Sequence, residues 1–379
     1  MAPHDGQALA SRVPHSLQNL APARLLVPQD GQVILANVIG LHMVRRGFRR
    51  RPGYDWDMTD SAPPTTPDHD DRLILMTVHA HPDDETIGTG GAMARAVRDG
   101  RRVVLITGTR GEQGEIVVPE MDTPDNHRRL GEIRMRELED AMGVLGVTEW
   151  DNLGYRDSDM MGRPGNNDPR TFWQADLDEA IGRLVWFVRR YRPHVITAYN
   201  AFGGYGHPDH IRVHQVSVPA FARAGDPAWY PEQLAPEHGG TGASVEEGGL
   251  APWEPKKLYE QAIPASIRQA MNERLKAAGQ RSFWMPPEDA TPEQIAEFEA
   301  FVAKALVPDE DITTWVDVAD VLQQKWDAIG KHVTQISQTN GFMAMGLDGW
   351  REFWSKEAYI LRESRVETTR HETDLFAGL

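Results

Sequence analysis

The chain contains no cysteine. Disulfides, thiolate nucleophiles and cysteine-ligated zinc are therefore excluded, and any metal has to be held by histidine and carboxylate. Positive charge is in deficit, with 40 Lys and Arg against 56 Asp and Glu and a formal net charge of −16. A molecule of that sign repels nucleic-acid phosphates and anionic lipid, so no nucleic-acid partner is expected and a small-molecule substrate is. No stretch approaches the roughly 18 uninterrupted apolar residues of a membrane helix. A secretory signal is not the expectation, because the apolar stretch 33–44 is followed, not preceded, by its arginines. A cytoplasmic location is the expectation, and a homo-oligomer is allowed.

What is present is a globular balance: 379 residues, 40% hydrophobic and 25% charged. Residues 1–71 read as a tail and linker, with Arg45, Arg46, Arg49, Arg50 and Arg51 followed by the proline-rich 61–67 and the acidic 68–71. Met58 opens the approach to the folded part, so 1–57 is also readable as a mis-assigned translation start. From residue 72 to 379 a single folded unit is expected. Apolar runs at 73–78, 103–107 and 194–199 read as buried strands, and 92–99, 128–145 and 177–191 as helices, the first two stopped by Gly100 and Gly146. The glycine- and proline-rich 225–255 reads as an insertion loop. Thr291-Pro292-Glu293 then opens a capped helix, 315–318 reads as a strand and 321–336 as a helix. Alternation of this kind predicts an α/β fold with a Rossmann-like, mostly parallel sheet, helices on both faces and a C-terminal α/β extension.

Two polar clusters follow strands directly: His79-Ala80-His81-Pro82-Asp83-Asp84-Glu85, and Gly203-Gly204-Tyr205-Gly206-His207-Pro208-Asp209-His210, with a helix expected from Ile211. In open α/β sheets ligands bind beyond the carboxyl ends of strands, so both clusters belong to one edge. Alone, each motif is readable as a capped turn with solvated carboxylates; together they point to a site. A catalytic zinc takes two ligands close in sequence and one distant, which His81, Asp84 and His210 match. Such a metal brings its water to a pKa of about 7, and a neighbouring base is needed. Asp83 is placed for that role, His207 for the developing oxyanion and then the leaving amine, and Tyr205 for the substrate carbonyl; Asp209 would orient a histidine. Ferrous iron would accept the same donors. His79 and His214 read as packed residues. Gly88, Gly90 and Gly91 offer backbone amides for close approach to a ligand. Trp315, Trp326, Trp350 and Trp354 read as core filling more readily than as sugar platforms.

The pair 80–85 and 207–210 resembles the PIG-L/LmbE superfamily of zinc-dependent N-deacetylases, whose members act on N-acetylglucosamine-type amides on a Rossmann-like sheet. Within it the chain is most similar to the mycothiol S-conjugate amidases and the related mycothiol-precursor deacetylases, through 111–116, 119–122, 207–218, 332–336 and 372–378. The resemblance implies zinc on His81, Asp84 and His210, with Asp83 as base and His207 and Tyr205 at the carbonyl oxygen. It also implies sugar-hydroxyl contacts from Arg129 and Asp157. Where the amidases show Ser-Ser-Lys after the acidic run, this chain has Thr86-Ile87-Gly88, so a lysine near the substrate is missing. A deacetylase of another N-acetylglucosaminyl glycoside or glycolipid is the alternative. Behind it stand a non-haem iron oxygenase, which calls for a β-barrel, and a silent sugar-binding module, which needs no base.

Overall fold

A computed structural model describes residues 72–234, 250–277, 282, 284–337 and 341–379. The expected tail 1–71 and residues 235–249 of the expected insertion lie outside the described residues.

In chain order the elements are β1 (Ile74–His79), α1 (Asp84–Gly88), α2 (Gly90–Arg98), β2 (Arg102–Thr109), α3 (Pro124–Arg128), α4 (Leu130–Leu145), β3 (Glu149–Tyr155), α5 (Leu177–Tyr191) and β4 (Val195–Ala198). There follow α6 (Gly203–Gly206), α7 (Pro208–Arg223), β5 (Lys257–Ala262), α8 (Ala265–Ala277), α9 (Pro292–Ala305), β6 (Thr314–Asp317), α10 (Leu322–Ile329), α11 (Gly346–Phe353) and β7 (Lys356–Ser364). They build one seven-stranded sheet in the order β3-β2-β1-β4-β5-β7-β6. Strands β1 to β5 run parallel, and β7 pairs antiparallel with β5 and β6.

Every side chain of β1 is buried. That is why the strand reads as a continuous apolar run, since both its faces are covered by helices. The two-residue alternation then sorts the core. Ile74, Met76 and Val78 meet Leu184, Phe187 and Val213 of α5 and α7 on one face. Leu75, Val103 and Leu105 meet Met93, Leu138, Met142 and Leu145 of α2 and α4 on the other. Gly146 ends α4 in the left-handed conformation at φ 76°, which costs a glycine little. Asp176 caps α5 by accepting from the backbone amides of Asp178 and Glu179.

Several expectations about elements are corrected. The helix expected from 321 to 336 ends at Ile329, and the chain turns inward so that His332, Thr334 and Gln335 are buried. The helix expected from Ile211 starts at Pro208, which carries His210 inside its first turn. The amides of Gly91 and Ala92 do not face a ligand: each donates to the buried Glu357 carboxylate, at 2.8 and 2.9 Å. Trp350, buried, packs with Trp326 and Trp354 as core filling.

β1 sits between β2 and β4. The chain leaves β1 toward β2 and β3 and later returns to the opposite side of β1 as β4. The crevice beyond the carboxyl ends of β1 and β4 is therefore the switch point of the sheet, where open α/β folds bind ligands.

Candidate functional site

The chain leaves β1 at His79 and reaches α1 through Ala80 to Asp83. His79 is a satisfied core residue, with Nδ1 3.2 Å from the Tyr199 hydroxyl and Nε2 2.9 Å from Thr89 Oγ1. Asp83 is held at φ 121°, a conformation unusual for a side chain other than glycine. Its amide donates to Glu85 Oε2 at 2.9 Å, and its carbonyl accepts from Thr86 Oγ1 at 2.8 Å.

On the other side of the crevice, Gly203, Gly204 and Gly206 take φ of 68°, 70° and 85° and let the loop after β4 fold tightly around Tyr205. Gly203 has a further constraint: an added Cβ would stand 2.8 Å from His210 Cβ. His207 is the N-cap of α7, its Nδ1 accepting the Asp209 amide at 3.1 Å, and Pro208 occupies the first helical position. His214, one turn on from His210, packs with Nδ1 3.1 Å from the Tyr199 carbonyl.

The two loops converge. The rings of His81 and His210 lie 5.3 Å apart and those of His81 and His207 4.5 Å apart. Asp84 Oδ2 stands 3.3 Å from His81 Nδ1 and 3.2 Å from His210 Nε2. Two donors about 2.0–2.1 Å from a shared cation at the tetrahedral angle are separated by about 3.3 Å, so these spacings fit one ion. Tyr205 places its hydroxyl 3.4 Å from His210 Nε2. The ligand atoms of His81, His207 and His210 also fall within 4.8 Å of one another, as do those of His81, Asp157, His207 and Asp209. The carboxylates of the second set are engaged by neighbouring amides, as is Asp84 Oδ2, which accepts the His81 amide at 3.0 Å. Asp209 accepts the Ser158 amide at 2.9 Å and the Ser158 hydroxyl, and Asp157 accepts the amides of Gln113 at 3.2 Å and Asp159 at 2.8 Å.

His81 is thus shared between two sides. Its Nδ1 faces Asp84, while Nε2 lies 3.2 Å from Asp209 Oδ2 and 3.7 Å from Asp157 Oδ1. A proton on Nε2 given to Asp209 leaves the Nδ1 lone pair for a metal, the usual arrangement of a metal-ligating histidine and its carboxylate. Asp209 thus stands where it would orient His81. Burial opposes charge on the His81 imidazole, yet Asp157, Asp209 and Asp84 outweigh it and raise its pKa well above the ordinary value. Burial likewise opposes charge on Asp84, and His210 and His81 hold its carboxyl well below the usual range. Burial pushes Asp83 up to about 7, against the pull of Arg134.

Asp83, Asp84, Asp157, Tyr205 and His207 line one cavity, joined by Arg134, Gln113 and Gln335. Arg129 is not among them. It sits exposed at the junction of α3 and α4, paired with Glu132 at 3.2 Å. The buried cation at the cavity is Arg134, whose Nη2 is 3.3 Å from Asp83 Oδ1 and whose Nη1 donates to the Gly111 carbonyl at 2.8 Å. The physical reason lies in the helical period. On α4 the buried stripe is Leu130, Arg134, Leu138, Ala141 and Leu145, so an arginine at an apolar position of the pattern was the available signal.

The profile of the PIG-L family, described as GlcNAc-PI de-N-acetylase, matches residues 76–221. The 1D-myo-inositol 2-acetamido-2-deoxy-alpha-D-glucopyranoside deacetylase 1 of Catenulispora acidiphila is 41% identical over 325 residues, 84% of this chain and 92% of that protein. A deacetylase of the same description from Geodermatophilus obscurus is 40% identical over 81% of this chain and 98% of its own length. That of Thermobifida fusca is 38% identical over 82% and 100%.

Proposed function

Because the chain belongs to the PIG-L family of N-deacetylases, we propose that it removes the acetyl group from an N-acetylglucosaminyl glycoside of inositol, the substrate for which its curated relatives are named. It is a metal-dependent hydrolase of the amide of an N-acylated amino sugar. The observation that carries the reading is the meeting of a buried carboxylate, Asp83, with His81 and Asp84 in one cavity, where Asp84 also reaches His210.

We assign a divalent cation, zinc or ferrous iron, to His81, Asp84 and His210; when bound it supplies Lewis acidity and an acidified water at that point. Asp83 takes a proton from the attacking water as oxygen adds to the amide carbon. His207, whose Nδ1 already accepts the Asp209 amide, presents Nε2–H and donates to the developing oxyanion. That tautomer suits His207 to the oxygen rather than to the leaving amine. The proton held by Asp83 is then the one delivered to nitrogen as the C–N bond breaks, giving acetate and the free amino sugar. Tyr205 supports the carbonyl oxygen beside His207, and Asp157 with Arg134 contacts sugar hydroxyls. An oxygenase is disfavoured by the open sheet, and a silent binding module by the presence of Asp83 beside the candidate ligands.

The test is hydrolysis of the inositol glycoside by metal-loaded protein, read as free amine. Asp83→Ala is expected to abolish turnover and retain metal, and His81→Ala to lose metal. Wild-type turnover by Asp83→Ala sinks the assignment of the base.

A further inference from the structure

Behind Asp83, away from the cavity, lies a buried pair that the reaction as derived does not use. Glu85 and His332 are each 0% exposed. Glu85 spends one oxygen on the Asp83 amide at 2.9 Å and meets His332 Nε2 with the other, also at 2.9 Å. His332 comes from a segment 247 residues further along the chain, beyond the stretch matched by the family profile. Among the described residues it makes no other side-chain hydrogen bond, and its Nδ1 is buried without a partner there. Two residues on, Thr334 gives its amide and hydroxyl to Glu137 of α4 at 2.8 and 2.7 Å, one turn from Arg134. The segment is thus anchored independently of His332, and the ring is delivered to Glu85 by a fixed backbone.

A backbone at φ 121° is strained for an aspartate and persists only where its surroundings over-determine it. The restraints on the Asp83 backbone are Glu85 on its amide, and Thr86 and the helix on its carbonyl. Of these, the Glu85 carboxylate is the one that needs a partner of its own, since a buried carboxylate with a single amide donor is poorly satisfied.

We propose that His332 and Glu85 are a positioning pair: His332 fixes the Glu85 carboxylate, Glu85 fixes the Asp83 turn, and the turn aims Asp83 into the cavity. The pair rests on the reading of Asp83 as the base and adds to it a residue from the C-terminal part of the chain. It acts on Asp83, not on the candidate metal ligands, so metal binding is untouched.

The test uses the full chain, metal-loaded, with the inositol glycoside as probe. His332→Leu is expected to lower kcat about 10- to 100-fold, the usual cost of losing an orienting partner, with KM and bound metal unchanged. His332→Gln, whose amide can still donate to Glu85, regains most of the loss, and His332→Asn, too short to reach, does not. The pair is overturned by equal losses in the Gln and Asn variants or by loss of metal. If His332→Leu fails to fold, the Gln and Asn comparison decides alone. Parental turnover by Asp83→Ala is a separate failure, that of the base itself, visible without any His332 variant.

Discussion

At the scale of single residues, the site depends on side chains that hold other side chains. Asp209 is completely buried and spends its carboxylate on His81 and on Ser158. The Ser158 hydroxyl in turn accepts the Trp173 amide at 2.9 Å. Removing that support frees Asp209 and lets the His81 ring turn. Ser158→Ala is expected to weaken metal binding about 10-fold, and Asp209→Asn at least as much, measured by competition with a chelator. An affinity equal to the parent's in both variants contradicts the orienting role. The residues that sequence could reveal were those in consecutive motifs: His81, Asp83, Asp84, His207 and His210. Arg134, Ser158 and His332 escaped because their significance is spatial, and a buried arginine looks like an exposed one until the helix is phased.

At the scale of elements, β1, β2, β4 and the edge strand β6 were legible, and β3, β5 and β7 were not. Strand β3 reads Glu149 to Tyr155 with half-buried polar residues, as an edge strand does, and carries no apolar run to announce it. Strand β7 is likewise exposed over its second half. Its buried Glu357 nevertheless ties three parts of the molecule, accepting from the first amides of α2, from Lys325 at 2.6 Å and from the Tyr359 hydroxyl. The carboxylate faces the positive end of the helix, which favours it further. Gly91 makes the close approach possible, since a Cβ there would stand 2.6 Å from Val318 Cβ and 2.8 Å from the Glu357 carboxylate. Gly91→Ala is expected to destabilise the protein by about 1–3 kcal/mol, read as a lower melting temperature.

A second tie at this scale titrates. Asp374, near the C-terminus, forms two hydrogen bonds with Arg101 at 2.8 and 2.7 Å, just before β2. Burial opposes its charge, but Arg101 and the Phe376 amide prevail and depress its pKa. A carboxyl depressed on folding adds stability above its unfolded pKa of about 3.9 and loses it as the pH falls through the folded value. Asp374→Asn is therefore expected to melt below the parent at neutral pH, with the difference closing in acid below about pH 4. A gap that persists unchanged into acid assigns the effect to packing instead.

At the scale of the whole molecule, charge bears on which substrates approach. The chain carries −16, and four aspartates, Asp83, Asp84, Asp157 and Asp159, line the cavity against the single guanidinium of Arg134. A neutral glycoside feels little of this field, whereas a phosphate-bearing analogue is repelled, more strongly at low ionic strength. KM for the neutral glycoside is expected to be flat across salt, and binding of the phosphorylated analogue to improve as salt is added. Among the described residues no helix is long and apolar enough to cross a membrane.

The inward turn after α10 has a bearing on how the molecule comes into being. All the candidate ligands have left the ribosome long before residue 332, but Glu85 and Glu137 wait for partners 247 and 197 positions downstream. The nascent chain thus carries most of the cavity lining well before Gln335 and the contact of His332 with Glu85 can be added, and these close the site from the far end of the sequence.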